Sequence, residues 1–91
     1  MNPYTTISNS AVDDDRLTAV SLGILVWLLR QPEGAGITAR KIKESLSGTG
    51  LAVTSKALSQ LEELGYLKRV QVHRNGRFQT GEYVVTDSPE A

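Results

Sequence analysis

The segment Ala19 to Arg30, AVSLGILVWLLR, is apolar on nearly every side when wound into a helix. A helix of that kind needs neighbours around it, so the rest of the chain must supply walls for a central scaffold. The run from Ile24 to Leu29 is far too short to cross a bilayer, so burial inside a protein is the expected outcome. Asp13, Asp14 and Asp15 precede the segment, where acids favour the positive end of a helix dipole, and Gln31-Pro32-Glu33-Gly34 stops it. Gly23 inside it lowers helix propensity and suggests a close approach by another backbone, and Trp27 is expected in the core.

The 91 residues allow one small domain, and with 40% apolar residues the core is thin. There are no cysteines, which leaves neither disulfides nor thiolate metal sites and suits a reducing compartment. The start, MNPYTTISNS, has no basic n-region or apolar h-region, so it does not read as a signal peptide. The expected location is the cytoplasm, with no membrane partner. His73 is the single histidine, so no metal or other cofactor is expected, and Asp13 to Asp15 are consecutive and do not converge on one point. No Ser, His and carboxylate set and no phosphate-binding glycine loop is present, so the chain is not expected to be an enzyme.

Ten basic and ten acidic residues balance, but unevenly. Residues 40–77 carry eight Lys and Arg against three Glu, a net of plus five, while 1–39 and 78–91 are acidic, with two against four and none against three. The basic middle contains two further helical signals. Thr38 is placed to cap ARKIKESL, where Ile42 and Leu46 make the buried side and Arg40, Lys41 and Lys43 stay outside. Ser47-Gly48-Thr49-Gly50 is a turn, with Thr49 or Ser47 placed to cap the helix that starts near Leu51.

At about 100° per residue, setting Val53 to 0° puts Leu64, Ala57, Leu61, Thr54 and Leu58 within roughly 140°, a core stripe. Ala52, Ser55, Lys56 and Ser59 fall on the opposite side, and Glu62 and Glu63 share it two turns further on. Gly65 ends the helix as a C′ residue. LKRVQVH and GEYVVTD then alternate as strands, with Leu67, Val70 and Val72 expected inward, Lys68, Arg69, Gln71 and His73 mostly outward, and a phase slip near Arg69. Asn75-Gly76 is the turn between them, bracketed by Arg74 and Arg77.

In sum the pattern is α+β: helix, short helix, turn, helix, then a hairpin with a basic tip. The stretches DDDRLTAVSLGILVWLLRQPEG, ITARKIKESL, SGTGLAVTSKALSQLEELGYLKR and NGRFQTGEYVV resemble the winged helix-turn-helix domain of phage and plasmid replication initiators. More distantly they are similar to MarR-type transcriptional regulators. The likeness spans roughly residues 4–87, and ALSQLEELGYLKR is its most specific piece. It implies three helices and a C-terminal hairpin wing of two or three strands. The expected organisation is an extended N-terminal arm over 1–12, the domain over 13–87 and a disordered tail over 88–91.

The resemblance also implies sequence-specific binding of double-stranded DNA, as in a small transcriptional regulator, with helix 51–64 in the major groove and the wing 74–81 in the adjacent minor groove. Small residues on the outer face let such a helix approach closely. Ala52, Ser55, Lys56 and Ser59 are the candidate base and phosphate contacts, and Thr49 and Gly50 sit at the positive helix end. Arg40, Lys41 and Lys43 are candidate backbone clamps, and Arg74, Asn75 and Arg77 the wing contacts. One monomer makes few contacts, so a homodimer or a larger protein partner is expected to add to them. Two alternatives stand beside this reading: the DNA-binding module of a replication initiator, and a winged-helix adaptor that binds protein without touching DNA.

Overall fold

The computed structural model describes residues 3–32, 37–74 and 77–89, with side chains described outside 71–82. The chain is α+β: helices α1 (Asn9–Val12), α2 (Ala19–Arg30), α3 (Ala39–Ser45) and α4 (Leu51–Glu63), a 3-10 turn (Ser47–Thr49), and strands β1 (Leu67–Arg74) and β2 (Arg77–Val85).

Each helix boundary has a local cause. Thr18 caps α2 by accepting from the Ser21 amide at 3.0 Å. At the other end Gln31 turns extended, as a residue before proline must, and its side-chain amide donates to the Trp27 carbonyl at 3.1 Å. Thr38 caps α3 as expected, accepting from the Lys41 amide at 3.2 Å. The end of α4 is a Schellman turn: Gly65, at φ 88°, donates to the Glu62 carbonyl and Tyr66 to that of Leu61. A Cβ at position 65 would also meet Pro89 at 3.2 Å.

The start of α4 departs from expectation. Gly50, at φ 85°, is the N-cap, and neither Thr49 nor Ser47 caps the helix with its side chain. Thr54 instead hydrogen-bonds back to the Gly50 carbonyl at 2.8 Å, which satisfies its buried hydroxyl. The arm expected to be extended contains α1, capped by Ser8 and anchored by fully buried Ala11. In the tail, the Ser88 amide donates to Thr86 at 3.1 Å, and residues 90–91 lie outside the described residues. The chain ends are tied where the Ser8 amide donates to the Asp87 carboxylate at 2.6 Å.

Ile24, Leu25 and Leu28 of α2, Ile42 of α3, and Ala57, Leu58 and Leu61 of α4 form the core, closed by Ile37, Tyr66 and Leu67. The surround of α2 is less complete than its composition suggests. Val20 and Gly23 are exposed, open space surrounds the position a Gly23 Cβ would take, and Trp27 is half-buried against the core. On α4 the buried set is Thr54, Ala57, Leu58 and Leu61, centred about 90° from Val53, which leaves Val53 at the stripe's edge and exposed.

The strands pair antiparallel from Leu67↔Val85 to Arg74↔Arg77, with an irregularity between Val70 and Val72. There β1 advances two residues while β2 advances three, from Glu82 to Gln79, so the extra residue lies at Thr80-Gly81. Alternation places Leu67, Arg69, Tyr83 and Val85 on the face toward α4, and Lys68, Val70 and Val84 on the outer face. Val70, expected inward, is therefore exposed. The Ile37 carbonyl accepts from the Tyr83 amide at 2.9 Å, which joins the α2–α3 connection to the sheet by a backbone bond, with no strand assigned there among the described residues.

Candidate functional site

Helix α4 is stitched to the α1–α2 connection on one side and left open on the other. The stitching begins at Asp14, whose side chain is 7% exposed. Its carboxylate accepts from Arg16 Nε at 2.8 Å, Arg16 Nη2 at 2.7 Å and the Tyr66 hydroxyl at 2.7 Å. These bonds hold the Asp14 pKa well below the carboxylate range, chiefly through Arg16 and then through Tyr66. Burial, reinforced by the Asp14 charge, raises that of Tyr66. Gln60 continues the network, donating to the Arg16 carbonyl at 2.7 Å and accepting from the Ser21 hydroxyl. The central aspartate of the acidic run is thus a structural acceptor. Among the described residues no three His, Asp or Glu side chains come together as metal ligands would.

The open side of α4 carries Ala52, Lys56 and Ser59, all exposed, and half-buried Ser55. No other part of the described chain covers the first three. The first turn of α4 has no side-chain cap, so its leading amides and the positive end of the helix dipole are available beside exposed Gly50 and half-buried Thr49. Lys56 also borders a groove of about 300 Å³ between α4 and the start of α2, lined by Val20, Val53 and Gln60.

On α3, Arg40 and Lys41 are exposed and Lys43 is half-buried. Arg40 is paired with Glu44 at 3.0 Å across one helical turn, while Lys41 and Lys43 make no ion pair among the described residues. The candidate residues of α3 and α4 therefore share one side of the molecule only in part: Lys43 meets Ser55 and Ser59 across a cleft, whereas Arg40 turns to its own helix. Arg74 and Arg77 are directly cross-strand, and their side chains, with Asn75 as a whole, lie outside the described residues.

Two strand residues that are not among the expected contacts stand in that cleft. Arg69 donates to the Tyr83 hydroxyl at 2.9 Å, lies over the Tyr83 ring at 5.4 Å from its centroid, and sits 3.3 Å from a Glu62 carboxylate oxygen. The Tyr83 hydroxyl, then the Glu62 charge, raise the guanidinium pKa further. That Glu62 oxygen is buried and makes no hydrogen bond. Finding the pair from sequence requires knowing that Arg69 faces Tyr83, which depends on strand register.

No family model matches the sequence. A search of curated proteins and one of solved structures each give no match. No helix among the described residues is long and apolar enough to cross a membrane.

Proposed function

We propose that this chain is a winged helix-turn-helix protein that binds double-stranded DNA sequence-specifically, as a small transcriptional regulator does. The observation that carries the reading is the uncovered face of α4: Ala52, Lys56 and Ser59 are exposed along a helix whose first turn has no side-chain cap. Small side chains there let a helix backbone come close to base edges, Lys56 suits a guanine edge or a phosphate, and the leading amides suit a phosphate. The short α3 and tight 3-10 turn before α4 agree with a helix-turn-helix, and the two-stranded sheet that follows agrees with a wing. The basic 40–77 region supplies the charge.

Selection from a random duplex library, followed by titration at two salt concentrations, tests this. The expected outcome is an enriched motif whose affinity falls steeply with salt, with Lys56→Ala, Arg74→Ala and Arg77→Ala each weakening binding. Symmetric half-sites in the motif would indicate a dimer.

One observation favours a second reading, a module that binds another protein. Val20 and Val53, 38% and 47% exposed, line the same groove between α2 and α4, an apolar pair suited to a protein surface. An adaptor of that kind would select no motif and show no salt-dependent DNA binding.

A further inference from the structure

Where α4 runs beside the sheet, Lys43, Ser55, Ser59, Glu62, Arg69 and Tyr83 line a cleft of about 130 Å³. Two cations face one carboxylate, so the lining is net positive. Arg69 is only partly committed: its side chain is 58% exposed, and the nearby Glu62 oxygen lies 3.3 Å away without a hydrogen bond. A guanidinium has five N–H donors, and among the described contacts Arg69 spends one on Tyr83. Tyr83 braces it from below, through both the ring and the hydroxyl.

The inference that follows rests on the DNA-binding reading. With α4 in the major groove and the far end of the sheet, at Arg74 and Arg77, in the neighbouring minor groove, the sugar-phosphate strand that separates the two grooves must cross the molecule between those elements. That crossing lies over the junction of α4 with the sheet, where the cleft is. We infer that the cleft seats one backbone phosphodiester, with Arg69 and Lys43 supplying charge and Ser55 and Ser59 supplying hydroxyl donors. Glu62 holds the guanidinium in position until the phosphate competes for it. Such a contact sets the register of the protein on the duplex and reads no sequence. It also explains how an acidic residue is tolerated on a face turned to phosphate: its charge is offset by its neighbour in the free protein.

The test uses the full chain and a selected duplex, titrated by fluorescence anisotropy between about 50 and about 200 mM salt. Arg69→Gln should weaken binding by at least roughly tenfold at the low-salt end, since a charge-assisted contact is lost. The slope of log affinity against log salt should fall by about one. Glu62→Gln should act in the opposite direction, tightening binding without reducing the slope. Duplexes carrying one neutral methylphosphonate, moved position by position, should reveal a single position that costs the wild type roughly tenfold and costs Arg69→Gln nothing more. Thermal melts of both variants check that the fold is kept, and the Glu62→Gln result stands by itself if Arg69→Gln fails to fold.

The cleft assignment is overturned if the wild type binds, Lys56→Ala weakens it, and Arg69→Gln keeps the full salt slope or Glu62→Gln weakens binding. If the wild type selects no duplex and shows no salt-dependent binding, the DNA reading itself falls and takes the cleft assignment with it.

Discussion

Two carboxylates of this chain have the same company, an arginine and a tyrosine, and are wired in opposite ways. At Asp14 both partners donate to the carboxylate, and the backbone amide of Arg16 adds a further bond at 3.0 Å. At Glu62 the arginine donates to the tyrosine instead and only approaches the carboxylate, leaving a buried oxygen without a hydrogen bond. The first arrangement welds the α1–α2 connection to the end of α4 and the start of β1. The second leaves a carboxylate oxygen held by an ion pair alone and an arginine whose side chain is 58% exposed. A buried polar group that is fully bonded rigidifies its surroundings, and one that is not marks a place where a partner or a rearrangement lowers the free energy.

The sharpest way to break this comparison is to remove each carboxylate in turn. Asp14→Ala should be the most destabilising, because it strands the Tyr66 hydroxyl in the core and releases Arg16, whose carbonyl anchors Gln60. Urea unfolding should show a larger loss than any other variant in this group. The same residue predicts the acid limb. Its folded pKa is lowered, so its contribution is complete above the unfolded value near 4 and is lost as pH falls below it. That part of the acid limb should be missing in Asp14→Ala. Tyr66 has the opposite sign: its raised pKa gives a contribution that is complete below about 10 and lost on the alkaline side.

Next in size, Tyr66→Phe keeps the apolar ring and removes one hydrogen bond to a charged acceptor, and should cost about 1.5–3 kcal/mol in urea unfolding. The smallest effect should come from Glu62→Gln, which leaves unfolding free energy within about 0.5 kcal/mol of the wild type. A loss there as large as that of Tyr66→Phe would show that the two clusters are alike after all.

Much of the backbone was legible from local chemistry. The bounds of α2, Ala19–Arg30, follow from an apolar run ended by Gln31-Pro32, and Thr38 and Gly65 mark the start of α3 and the turn after α4. The phase slip expected near Arg69 is absent: β1 alternates without a break from Leu67 to Val70, and the irregularity between Val70 and Val72 comes from an extra residue in β2. Side-chain direction was less accessible. Val53 and Val70 were expected inward because an apolar residue at the edge of a stripe looks the same in sequence as one at its centre, and the winning placement depends on which neighbours reach it. The α1 helix was missed because its four residues gain their stability from burying Ala11, not from propensity.

For the candidate site the division is clearer still. The outer positions of α4, Ala52, Ser55, Lys56 and Ser59, were readable because helical periodicity assigns a face without knowledge of the rest of the fold. The Asp14 and Glu62 clusters were not, since Asp14 and Tyr66 are 52 residues apart and Arg69 and Tyr83 are 14. Periodicity and capping are properties of a few consecutive residues, so the chain by itself determined α2, α3 and α4, its strands and the outer face of α4. Which carboxylate is welded and which is left wanting depends on where distant segments meet, and only tertiary packing decides that.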